Sequence, residues 1–244
     1  MKRNFLMMAF VSLFTVVAIS SCNKDDDDDG KEGGNIDNTI TATVEHGNSY
    51  NGKIDSVKAK IYPPKKNSYL VTLVAASTNY SNGGFTLKLP ETVSDTYLSA
   101  FDDDNFYVDN GITISNRNVK ISQTYIEAYK ANDVVGEFYY GTADWYWYGR
   151  PTYSNGDVSI TGSMTEEHNS DGDGDGVDET HTYTTKFNIH LKKGWNMVYG
   201  KEGEYEEEYT TTAPSGAKWY YEDYYESDTS SQLKKVPFLS SKRR

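Results

Sequence analysis

Alternation with a period of two runs through most of this chain, and it restricts the fold more than any other feature. Ile40, Ala42 and Val44 alternate with Thr39, Thr41 and Thr43, and Val57, Ala59 and Ile61 with Ser56, Lys58 and Lys60. Phe85, Leu87 and Leu89 flank Thr86 and Lys88. Val158, Ile160 and Met164 alternate with polar residues, as do Phe187, Ile189 and Leu191. Successive side chains of a strand point to opposite faces, so this pattern predicts strands with one buried face. Short segments of this kind separated by turn residues predict a sandwich or barrel. The expectation is an all-β fold, an antiparallel β-sandwich of about eleven strands, and no amphipathic helix of ten residues or more. The 21 tyrosines suit such a fold, because each supplies apolar area and a polar tip.

Some segments depart from strict alternation. "YLVTLVAA", Tyr69 to Ala76, is apolar on both faces and reads as a central strand. "PETVSDTYLSAF", Pro90 to Phe101, reads as a loop with one helical turn, Ser94 at its start and Leu98 and Phe101 facing inward. Ala131–Asn132–Asp133 reads as a hairpin turn, and Pro214–Ser215–Gly216 joins "EYEEEYTTT" to "AKWYYEDYY" as a last strand pair.

The amino terminus has a different character. Lys2 and Arg3 precede an apolar run from Phe5 to Ile19, which is shorter than the roughly 20 residues a bilayer core requires. Residues 1–21 therefore read as a secretory signal. "AISSC" resembles the lipobox of bacterial lipoproteins, in which the cysteine is acylated and becomes residue one. That resemblance implies lipidation of Cys22, the only cysteine of the chain. "NKDDDDDG" follows at once and resembles the acidic export signal of surface lipoproteins of Bacteroidetes-type bacteria. The two likenesses cover residues 1–30. They imply an outer-membrane protein anchored by palmitate-type chains and facing outward; an anchor facing the periplasm is the alternative. Residues 22–37 read as a flexible acidic tether, 38–226 as the β-sandwich domain with a division into two lobes near 115 as the alternative, and 227–244 as a tail. The stretch from "GKIDSVKAKIY" to "NGGFTLKLP", residues 52–90, resembles the transthyretin-like regulatory modules of carboxypeptidases, which implies a structural or binding role.

Charge narrows the partners. The formal net charge is −12. Without Lys2 and Arg3, 22 basic residues face 36 acidic ones, or −14. Such a surface repels nucleic acid. Within it, "HNSDGDGDGVDETH" places Asp171, Asp173 and Asp175 at the first, third and fifth positions of an EF-hand-type loop, with Gly176 at the turn. Glu179 falls at the ninth position, while Thr182 stands where the bidentate glutamate belongs. A weak calcium site and an ion-free acidic loop are both open. His168 and His181 flank the loop, and two imidazoles with an aspartate also suit zinc.

"DWYWYGR" sets Trp145 and Trp147 on one face of a strand and Tyr146 and Tyr148 on the other. Trp219 and Tyr221 offer a similar set. Exposed, these rings suit the apolar faces of sugars or a protein surface; inward, they are cross-strand pairs stabilising a sheet. Glu166, Glu167, Glu206, Glu207 and Glu208 are numerous enough for the two carboxylates of a glycosidase-like hydrolase, yet "EYEEEY" also reads as a solvated edge strand. No Gly-x-Ser-x-Gly elbow, phosphate loop or His-Glu-x-x-His motif occurs. The sequence favours a cell-surface binding protein that takes a glycan or protein ligand, with the hydrolase and a structural subunit of a surface assembly as alternatives.

Overall fold

Nearly every alternating segment forms a strand. The computed structural model describes residues 35–64, 67, 70–101, 111–143, 146–170 and 179–224, without the side chains of 168–170 and Glu179. The signal segment, Cys22, nearly all of the tether and the tail 227–244 lie outside the described residues, as do Trp145, Asp171, Asp173 and Asp175.

Fourteen strands occur among the described residues. They are β1 (Thr39–Thr43), β2 (Ser56–Ile61), β3 (Leu73–Asn79), β4 (Gly84–Lys88) and β5 (Ser99–Ala100). Then come β6 (Ile112–Ile114), β7 (Lys120–Lys130), β8 (Asp133–Gly141), β9 (Trp147–Ser154) and β10 (Val158–Ser170). The last are β11 (Glu179–Leu191), β12 (Gly194–Glu202), β13 (Glu206–Thr210) and β14 (Lys218–Asp223). The count exceeds eleven partly because β5, two residues long, is too short to display a period. The helical turns at Gly47–Tyr50 and Asp95–Tyr97 are 3₁₀. Ser94 does precede the second turn, and Leu98 and Phe101 are buried as expected, but the Ser94 hydroxyl bonds Thr96 instead of capping.

β1 and β4 form a small antiparallel sheet. The large sheet runs β3-β2-β7-β8-β9-β12-β13-β11-β10-β6, with β14 also on β8 and β5 on β7. Its pairs are antiparallel except β11 with β13. The β7–β8 hairpin forms where expected, turning at Ala131 with a positive φ of 54°. β10 and β11 pair without a register shift from Val158 opposite Leu191 to Ser170 opposite Glu179. β7, β8 and β9 each pair with the other two, so the sheet folds around a corner there. A bridge from Val44 to Trp219 ties the small sheet to β14, and the Glu45 N–H donates to the Trp219 carbonyl at 2.8 Å.

Two expectations are corrected. The segment read as a central strand yields β3, which starts at Leu73 and ends the sheet order, paired with β2 alone. Its second apolar face is not buried: Val74 is exposed. The expected last pair does not form either. β13 lies between β12 and β11, and β14 pairs β8, so "EYEEEY" is an interior strand. Lysines offset its charge: Lys186 bonds Glu206 at 3.0 Å and Lys201 approaches Glu208 at 3.9 Å.

Apolar residues gather into two cores. The first joins β1, β2 and β4 to one face of β7, β8, β12 and β14, with Leu87, Ile126, Phe138, Met197 and Trp219 among its members. The second lies on the opposite face and contains Ile121, Ile160, Ile189, Val198 and Tyr209. β12 serves both: Trp195, Met197 and Tyr199 point to the first core and Val198 to the second.

Candidate functional site

The second face of the large sheet changes character toward β2. There β7 presents Tyr125, Glu127 and Tyr129, β8 presents Glu137, and β9 presents Tyr148 and Arg150. Glu127 and Glu137 stand opposite one another on paired strands, and both are almost fully buried. Bare carboxylates in that position are strongly unfavourable unless paired. Glu127 accepts bonds from the hydroxyls of Tyr62 at 2.6 Å and Tyr129 at 2.7 Å, and from Lys60 at 3.1 Å. Glu137 accepts from Arg150 and from the Tyr224 hydroxyl, each at 3.3 Å. The cations also lie on rings. Lys58 sits 3.9 Å above Tyr129, and the Arg150 guanidinium is 4.6 Å from the Tyr125 ring and 5.3 Å from that of Tyr148.

The layer continues across β12. Gly200 stands between Tyr148 and Tyr209 on neighbouring strands, and a Cβ there would sit 2.6 Å from the Tyr148 ring. Glycine thus leaves room for the two tyrosines to approach and bond, and Tyr209 also reaches Glu207 at 3.5 Å. A connected network of tyrosines, glutamates and cations therefore spans the sheet from β2 to β13.

Its electrostatics are those of a satisfied network. Burial raises the Glu127 pKa, but the bonds from Tyr62, Tyr129 and Lys60 outweigh it and hold the carboxyl below its ordinary value. Burial pushes Tyr148 up to about 12 and raises Tyr209 further. Burial opposes the charge on Arg150, and Glu137 restores it. A general acid needs a carboxyl that keeps its proton near neutrality. Glu127 is tuned the opposite way. Of the carboxylates named for a hydrolase, Glu206 and Glu208 share one face of β13, and Glu207 faces Glu202 on the other.

Two further groups of rings are open to solvent. One lies where β9 begins and β12 ends, since Trp147 pairs with Lys201. Tyr146 is 44% exposed, and Tyr205, in the β12–β13 turn, is 40% exposed. The Lys201 ammonium lies 4.8 Å from the Tyr146 ring and 5.8 Å from the Trp147 ring. Tyr205 stacks on His181 at 5.3 Å and meets Tyr183 at 5.5 Å. The two groups lie on different faces: Lys201, Glu208 and Glu206 share one face of their strands, while Tyr183 is on the face of Phe187 and Tyr209.

Four residues were expected to bind a ligand. Trp219 and Tyr221 are buried in the first core instead, where Trp219 packs on Phe85 and Tyr140 and Tyr221 on Tyr50 and Phe138. Pairing of β14 with β8 turns them inward. Trp147 is half-buried at the rim of that core, and Trp145 lies outside the described residues. Tyr146 and Tyr205 carry the exposure instead.

Of the expected calcium set, Asp171, Asp173, Asp175 and the Glu179 side chain lie outside the described residues; the Glu179 backbone opens β11. His168 and His181 are opposite on β10 and β11, with only the His181 ring described. Among the described residues no group of three or more His, Cys, Asp or Glu is placed to hold a metal. No helix among them is long and apolar enough to cross a membrane.

Fold and site together define an all-β, mostly antiparallel protein with a buried tyrosine–carboxylate layer and two small groups of exposed rings. No protein-family model, curated protein or solved structure matches the chain.

Proposed function

We propose that this chain is a lipid-anchored cell-surface protein whose exposed rings bind a glycan without catalysis. The observation that carries the reading is the exposure of two groups of rings, Tyr146 with Trp147 beside Lys201, and Tyr205 with Tyr183 and His181. Flat aromatic faces match the apolar faces of sugar rings, and charged groups around them match hydroxyls. Acylation of Cys22 and the aspartates behind it support a location on the outer membrane facing outward. The acidic surface favours neutral ligands over anionic ones.

Binding is tested on an array of neutral oligosaccharides followed by calorimetry with the leading hit. The expected result is a loss of at least tenfold in affinity for the Tyr146→Ala/Tyr205→Ala double variant, with unchanged melting. A folded sample that binds nothing on the array, or a double variant that binds as well as the parent, defeats the reading. For the anchor, Cys22→Ala releases the protein from membranes; retention of that variant argues against acylation.

A further inference from the structure

We propose that the outer edge of β3 is a self-association surface, at which a second copy of this chain lays its own β3 antiparallel to the first. The edge is open among the described residues: β3 ends the sheet order and pairs with β2 alone. A strand edge of this kind carries unpaired N–H and C=O groups and serves as a template for another strand.

Side chains mark the same corner. Val71 is 82% exposed, Val74 48% and Tyr62 46%, three of the five large hydrophobic residues that are exposed among the described residues. Lys60 stands opposite Val74, and Tyr62, just past the end of β2, turns to the side of Lys60, since both reach Glu127. The corner is held in place. The Tyr62 hydroxyl is bonded to Glu127, and the Val71 carbonyl accepts from Tyr97 at 3.1 Å. Groups fixed before contact lose less entropy on binding.

Charge selects the occupant. No charged residue occurs from Asn67 to Leu87, in a chain where 25% of residues are charged. Two mature molecules, each of formal charge −14 without Lys2 and Arg3, repel one another at long range, so they meet most favourably through an uncharged stretch. Antiparallel pairing of β3 with itself sets neutral residues against neutral residues along its whole length. The other large edge is unsuitable. β10 is covered by β6 only from Ile160 to Gly162 among the described residues, and its outer portion carries Glu166 and Glu167. Charges on an edge are a protection against pairing, and β3 lacks them. Its one protection is the register shift at Ala75, which adds twist. Seven residues with a bulge bury less than the roughly 1,200 Å² of a stable interface, so the dimer is weak in solution. Tethering on a membrane raises the effective concentration and strengthens it.

Sedimentation velocity on the full mature chain between about 5 and 500 μM brackets the affinity of such an interface. The expected result is a concentration-dependent monomer–dimer equilibrium. Val74→Lys, at an exposed position, keeps the melting temperature and weakens the dimer at least tenfold. Amide hydrogen exchange of Leu73–Asn79 slows with concentration in the parent and not in the variant. A monomer at every concentration with exchange independent of concentration overturns the proposal. So does a dimer indifferent to Val74→Lys. A monomer that binds phosphatidylglycerol vesicles through Val74 also overturns it and assigns the corner to a lipid surface.

Discussion

β7 and β8 bury both of their faces, and the two faces do it by different physics. Toward the first core, Ile126, Ala128 and Phe138 pack among apolar neighbours, with Phe138 4.9 Å from Phe85 and 5.7 Å from Tyr80. On the other side, Glu127 and Glu137 are equally hidden, and their stability depends on each oxygen having a donor. The apolar side is stabilised by area and loses in proportion to what is removed. The polar side combines opposing large terms, so removing one partner is severe while removing both is mild. Burial alone therefore says little about how a position responds to change.

The contrast is sharpened by substitutions read in urea unfolding. Phe138→Ala opens a cavity among aromatic rings and is expected to cost about 4 kcal/mol at pH 7. Arg150→Met leaves Glu137 buried beside Tyr224 without its cation, and about 3 kcal/mol is expected. Adding Glu137→Met to Arg150→Met recovers more than half of that loss, since no buried charge then remains. If the double variant is as unstable as the sum of the singles, the two faces do not differ in kind.

A smaller effect separates the faces by pH. The Glu127 carboxyl is held below its ordinary value in the folded state. Its contribution is therefore complete above the unfolded carboxylate pKa of about 4.3 and disappears as pH falls through the lower folded value. Glu127→Gln is expected to cost about 1–2 kcal/mol at pH 7 and to flatten the decline between pH 5 and about pH 3. Phe138→Ala leaves the shape of that decline unchanged. The smallest effect is at the margin of the polar face, where Tyr220 stacks on Tyr139 at 5.5 Å. Tyr220→Leu keeps the area and loses the ring pair, about 0.5–1 kcal/mol.

The apolar face was legible in the sequence, because a period of two reports a water–oil boundary. Val57, Ala59, Ile61, Leu87 and Ile160 read inward from their spacing alone, and all are buried. The polar face was not legible. Tyr125, Glu127 and Tyr129 look like a solvated row, and nothing local says that Tyr62, Lys60, Arg150 and Tyr224 arrive from other strands to seal it. A trace existed in "QTYIEAY": tyrosines on the nominally wet side of a long strand are a costly way to face water. Partner choice was equally hidden. Trp219 and Tyr221 lie on one face of their strand as spacing requires, but only the choice of β8 over β13 as neighbour turns that face inward. For β3 the two apolar faces were visible, and their meaning was reversed by the strand's place at the end of the sheet.

The bridge between Val44 and Trp219 brings the residue after β1 against β14, and Lys218 completes the join by pairing with Glu45 at 3.0 Å. The first core thus cannot close until residue 223 is available, because one of its walls is β14. Local pairings such as β7–β8 form early, but the ring-closing step waits on contacts some 170 residues apart, which makes the folding rate slow.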